Sequence, residues 1–149
     1  LIKRISVLTL ILIVFGMATV YFLNETTTAE LKDTVKIREE QGDFIVHLRV
    51  EKVENKGYQI LRSIEYQGKE PITIEHRTPL IAVSVNRSNA HFTGSPVTKT
   101  LNPGDIYHPQ EPKNDEPLDR GEHMLYIHTQ FVTDGETVDI KTNKPIVFE

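Results

Sequence analysis

Six histidines, His47, His76, His91, His108, His123 and His128, are the side chains of this sequence best suited to hold a metal ion, because neutral imidazole is a common ligand. Their spacing argues against it. His123 and His128 stand five apart, and on a strand an odd separation points side chains to opposite faces. His47 and His128 both fall on the less apolar parity of their segments and become neighbours only if those segments pair. Two imidazoles fall short of the three or four protein ligands a zinc site uses, so no metal site is expected. The chain has no Cys, which excludes a disulfide framework, a thiolate metal site, a cysteine nucleophile and a lipidated cysteine. Ser63, Ser84, Ser88 and Ser95 stand outside any G-x-S-x-G context, although a triad assembled in space leaves no trace in linear spacing. No glycine-rich phosphate loop is present. No catalytic residue and no cofactor is predicted.

The segment with most scope for binding is Pro109 to Gly121 (PQEPKNDEPLDRG). Three prolines, and no apolar residue but Leu118, mark a long exposed loop, and long loops on a rigid scaffold commonly do the binding. Its partner-binding candidates are Tyr107 and His108 at the base with Glu111, Asp115 and Glu116 within. Tyr is enriched in binding hot spots, whereas carboxylates in such a loop, like Glu39 and Glu40 earlier, are ordinarily solvated.

These residues need a scaffold, and the periodicity supplies one. Phe44, Val46, Leu48 and Val50 alternate with Ile45, His47, Arg49 and Glu51, the period of a half-buried strand. Tyr58 to Tyr66 repeats the pattern, with Arg62 interrupting the face made by Ile60, Ile64 and Tyr66. Ile72 to Glu75 reads as a short strand, and Leu80 to Val85 is β-rich enough for the middle of a sheet. Asn86 to Pro96 reads as a loop with Phe92 as a core plug, and Val97 to Leu101 as another strand. Asn102-Pro103-Gly104-Asp105 is a turn signal, since Pro fixes one φ and Gly accepts a positive one. Ile106 to His108 follows as a brief strand. Glu122 to Val132 places Leu125, Ile127 and Phe131 on one face, Asp134-Gly135 turns the chain, and Val138 to Phe148 supplies the last one or two strands. Some eight short strands with hardly any helix predict an antiparallel sandwich or barrel.

The chain begins differently. Residues 1 to 24 hold 17 hydrophobic residues, and Ile5 to Leu23 is a run of 19 without a charge. That length crosses a bilayer core of roughly 30 Å as a helix. Lys3 and Arg4 before it assign the start of the chain to the cytoplasm and the remainder to the outside. Length and the aromatic pair Tyr21-Phe22 favour an anchor; a cleaved signal, with Thr27-Thr28-Ala29 as its weak cleavage site, is the alternative. Residues 25 to 43 read as a polar stalk and 44 to 149 as the folded domain, so a fragment starting near Asp43 is expected to fold alone. Beyond residue 24 the chain carries 15 Lys plus Arg against 21 Asp plus Glu, so a nucleic-acid partner is not expected. Asn24-Glu25-Thr26 and Asn86-Arg87-Ser88 match the glycosylation sequon, a short pattern that matters only in a secretory pathway.

Leu118-Asp119-Arg120-Gly121-Glu122-His123-Met124-Leu125 and the earlier Leu101-Asn102-Pro103-Gly104-Asp105 resemble the late strand and preceding turn of bacterial extracytoplasmic immunoglobulin-like β-sandwich domains, as in proteinase-inhibitor-type domains and envelope proteins. Ile64 to Ile72 is similar to the same domains. The resemblance covers about residues 44 to 149 and implies an antiparallel immunoglobulin-like sandwich of seven or eight strands. The Cys pair and core Trp of antibody domains are missing. Function is then expected to be non-enzymatic, an anchored or secreted module for protein interaction or envelope upkeep at a cell membrane. The alternatives are a proteinase inhibitor inserting loop 109 to 121 into a protease cleft, and a secreted enzyme with a spatially assembled site.

Overall fold

The computed structural model describes residues 2–27, 29–54 and 57–149, the side chains of residues 2–8, 10, 22 and 24–27 excepted. Among the described residues a helix, α1 (Ile2–Thr27), is followed by ten strands. These are β1 (Val35–Gln41), β2 (Phe44–Lys52), β3 (Tyr58–Tyr66), β4 (Ile72–Thr78) and β5 (Ile81–Val85). The second half holds β6 (Thr93–Leu101), β7 (Ile106–Tyr107), β8 (Lys113–Asp115), β9 (Gly121–Thr133) and β10 (Glu136–Phe148).

They form two antiparallel sheets. In the first, β1, β2 and β3 lie in order and both β7 and β8 add to the far edge of β3. In the second, β10, β9, β4 and β6 lie in order, and β5 continues the β4 position along β9. Each sheet is therefore four positions wide, with one position split between two short strands.

The alternation of side chains decides which face each strand buries. Val46, Leu48, Val50, Ile60 and Ile64 of the first sheet meet Ile74, Leu125, Ile127, Phe131 and Ile140 of the second in one buried cluster. Phe44 packs on Phe131 with ring centroids 4.7 Å apart, and Tyr58 on Phe148 at 5.4 Å. These aromatic contacts fasten one sheet to the other.

Two hairpins show local sequence setting register. Gly42, at φ 59°, opens the two-residue turn between Gln41 and Phe44. Asp134 and Gly135, at φ 51° and 78°, supply the two positive values that a type I′ turn between β9 and β10 requires.

Several expectations are corrected. From residue 29 onward the predicted stalk belongs to the sandwich: Ala29 and Leu31 are buried, Leu31 bridges to Phe148, and Val35 to Gln41 pair along β2. The folded unit therefore starts near Ala29 rather than residue 44. The segment from residue 80 sits at a sheet edge, because β5 pairs with β9 alone. Phe92 plugs no core; its ring meets His128, 4.9 Å away, on the outer side of β9. The strand expected from Val97 begins at Thr93. The loop after residue 109 contains β8, because backbone pairing with Tyr58 to Ile60 needs no apolar side chain.

In α1 the side chains of Ile11, Leu12, Ile13, Val14, Phe15 and Met17 are exposed. Among the described residues no helix is long and apolar enough to cross a membrane. Of the anchor expectation, the side chains of Lys3, Arg4, Ile5 to Leu8, Leu10 and Phe22 lie outside the described residues, as do those of the sequon at Asn24 to Thr26.

Candidate functional site

The side chains singled out for binding do not converge. Tyr107 turns toward the second sheet, where its hydroxyl lies 3.0 Å from Nε2 of the buried His76. Nδ1 of His76 is 2.7 Å from the Arg77 carbonyl and must donate to it. Nε2 is then left to accept from the Tyr107 hydroxyl, whose pKa burial pushes up. Lys99 Nζ lies over that ring, 5.6 Å from its centroid. Asp115 pairs with Lys113; burial of the Tyr58 hydroxyl, reinforced by Asp115, drives that phenol to about 12. Glu111 contributes its backbone carbonyl to Arg62 at 3.1 Å, and Glu116 borders a shallow hollow beside Glu54 and Gly57. Of the five candidates, only His108 lines the principal concavity of the sandwich.

The loop itself is held against the body. The Gln110 side chain accepts from the Ile81 amide at 2.9 Å and donates to the Ile81 carbonyl at 3.0 Å. That carbonyl also receives Arg62 Nη1 at 3.2 Å, and Leu118 packs against the core.

The histidines are equally dispersed. His47 lies in the first sheet and His128 in the second, so matching parity did not make them neighbours. Each faces a carboxylate: His47 Nε2 is 2.6 Å from Glu65, and His128 pairs with Asp139. His123 bonds to the Asp119 carbonyl and to Asn86 Nδ2 at 2.9 Å, which also commits the second sequon's asparagine. Among the described residues no group of three or more potential ligands could hold a metal ion.

The principal concavity is a groove of about 530 Å3 on the outer face of the first sheet. Its surface is mostly apolar, with Leu61, Ile106 and Pro112 in the lining, yet its charged lining residues are all cations: Lys36, Arg38, Arg49 and Arg62. Register explains the grouping. Lys36 stands directly opposite Arg49, and Arg38 opposite His47, all on the face away from the core. One strand further, Arg49 is opposite Leu61 and His47 opposite Ser63. The groove thus runs from a basic end on β1 and β2 to an apolar end on β3 and residues 106 to 112.

Local ion pairs temper the basic end. Arg38 pairs with Glu40, Arg49 Nε lies 3.0 Å from Glu51, and His47 faces Glu65. Hydrogen bonds from Gln67 and His47 hold the Glu65 carboxylate below its usual pKa. Lys36 has no carboxylate partner among the described residues. Arg62 stands on the core parity of β3; burial lowers its pKa against the pull of Asp115, and its buried Nε has no partner among the described residues. Ser63, His47 and Glu65 are the nearest arrangement to a hydrolytic triad, but among the described residues no hydrogen bond joins Ser63 to His47.

Lys36, Arg38, Arg49 and Arg62 were missed as a group because the segment before residue 44 reads as a stalk. The alternation of Val35 and Ile37 with Lys36 and Arg38 was the available signal.

No protein-family model matches the chain, and no curated protein matches it significantly. Among solved structures it is similar to the GAE domain of GGA2p from Saccharomyces cerevisiae, with a TM-score of 0.45 and 6% sequence identity, over 74% of this chain and 96% of that one.

Proposed function

We propose that this protein is a non-enzymatic binding module, an immunoglobulin-like sandwich held to a cell membrane by its N-terminal helix and facing away from the cytoplasm. The groove on the outer face of the first sheet carries this reading: an acidic chain sets three outward-facing cations, Lys36, Arg38 and Arg49, and no carboxylate in the lining of this hollow. That is how a site for an anionic ligand is expected to look, a mostly apolar hollow with a few placed polar groups.

The immunoglobulin-like assignment is supported by strand order. β2, β3 and the β7/β8 position correspond to strands A, B and E of such domains, and the β4/β5 position, β9 and β10 correspond to C, F and G. β6 then pairs beside the C position, and β1 is an additional N-terminal strand. The tether is supported by the uncharged run Ile5 to Leu23. It is also supported by apolar side chains exposed on successive residues of α1, since a helix apolar all round is at home only in a protein core or a bilayer.

Floating the whole chain with phosphatidylcholine vesicles tests the tether. The protein is expected to rise with the lipid and to leave it once the chain is cut ahead of Ala29; a whole chain that stays in the aqueous layer overturns the tether. A second reading, loop 109 to 121 as a protease inhibitor, predicts inhibition lost on shortening that loop.

A further inference from the structure

The basic end of the groove is built against its own stability. Opposed residues of an antiparallel pair have Cβ atoms only about 5 Å apart, and like charges placed there repel. Lys36 facing Arg49, with Arg38 facing His47 in the neighbouring pair, sets three fixed cations and an imidazole in a two-by-two patch. Glu40, Glu51 and Glu65 offset three of the four, which leaves Lys36 as the uncompensated charge. Past β2 the one charged lining residue is Arg62, whose guanidinium is taken up by the Ile81 and Glu111 carbonyls, and the groove instead exposes apolar side chains. Ile106, at 59% exposure, stands open beside it.

We infer that the groove binds an anionic amphiphile, one acidic head on an apolar body, with the head between Lys36 and Arg49 and the body over Leu61, Ile106 and Pro112. The volume, about 530 Å3, lies within the usual range for small-molecule sites. A polyanion would call for a basic stripe continuing over the surface, whereas here the outward-facing cations stop at β2. The inference rests on the proposed function only in taking the groove as the binding site, and it is independent of the tether.

The test is equilibrium dialysis of the full chain in phosphatidylcholine nanodiscs, with empty nanodiscs as the blank. The probes are hexanoate, hexyl phosphate, acetate, hexanol and a hexapeptide of glutamates. Hexanoate or hexyl phosphate should bind, and the tighter of the two identifies the head as carboxylate or phosphate. Acetate and hexanol should each bind at least about tenfold more weakly, since each lacks one half of the contact. Lys36→Glu should weaken the binding at least about tenfold, the loss that one charge-assisted hydrogen bond implies. The same substitution should leave the melting temperature unchanged or raise it, because it turns a repulsive cross-strand pair into an attractive one. Ile106→Ser should weaken hexanoate and leave acetate unaffected. Equal binding of acetate and hexanoate overturns the amphiphile, as does binding of hexanol as tight as that of hexanoate. Binding of the peptide alone, lost in Lys36→Glu, overturns the amphiphile and keeps the groove as a site. No binding of any probe overturns both.

Discussion

The side chain of Tyr66 lies across Gly68 so closely that a Cβ at residue 68 would collide with the phenol ring and its hydroxyl. The hydroxyl donates to the Glu70 carbonyl at 2.7 Å, and so closes the turn that carries the chain from the first sheet to the second. Gly68→Ala should therefore cost about 1–3 kcal/mol, the usual penalty of overpacking. Urea denaturation of the variant checks this. Adding Tyr66→Leu should recover part of the loss, because the obstructing ring is gone; a double variant as unstable as the sum of the singles contradicts the steric account.

Thr129 is fully buried on the core face of β9, and among the described residues its hydroxyl has no hydrogen-bond partner. Thr129→Val keeps the branched shape and removes the orphaned oxygen. It should raise stability by about 1 kcal/mol or more, given the desolvation cost of an unsatisfied buried polar group. An unchanged or lower denaturation midpoint would mean the hydroxyl is satisfied.

The start of the folded unit makes a third expectation. Leu31 is completely buried and joins the end of β10 through its bridge to Phe148. Leu31→Ala should cost about 2–5 kcal/mol, as large-to-small changes in a core do. A fragment starting at Ala29 should unfold cooperatively, while one starting at Phe44 should lose β1 and show a lower midpoint. Equal midpoints for the two fragments would return the boundary to residue 44.

The Tyr58 phenol gives a dependence on alkaline pH. Its pKa rises from an ordinary 10.0 to about 12 in the fold, first through burial and then through Asp115. The raised value means the folded state favours the neutral phenol. The stabilisation is fully present below pH 10 and lost as pH rises toward 12, with about 3 kcal/mol as its ceiling. Denaturation midpoints measured from pH 9 to 12 should fall more steeply for the parent than for Tyr58→Phe. Parallel slopes would remove Tyr58 as the cause.

Much of the sheet structure was legible because strand periodicity is written into the chain. Phe44 to Val50 and Leu125 to Phe131 are both strands with the expected faces buried, although Ile45, of the parity expected to face solvent, is buried as well. Asp134-Gly135 and Pro103-Gly104 announced their turns through the positive φ that each glycine adopts. β1 was hidden because Val35 and Ile37 alone make too short an alternation to stand out among charges. β8 was hidden because Lys113 to Asp115 joins the sheet through its backbone. The groove was illegible for a deeper reason. Parity tells which face His47 or Arg49 occupies, but not which strand lies beside it, and the site exists only through the register that sets Lys36 opposite Arg49. The same ignorance of sheet membership left open whether His47 and His128 were neighbours.

The short ladder at the entrance to the sandwich has a mechanical consequence. Glu30 and Glu149 exchange two backbone hydrogen bonds, each 2.9 Å long, and Lys32 donates to Val147 at 2.8 Å, after which β1 crosses to the other sheet. A pull arriving from α1 therefore meets the last residues of β10 before it reaches β1 and β2. These three bonds act as a clasp between the two ends of the sandwich, and tension on the helix would have to open it before β1 and the first sheet came under load.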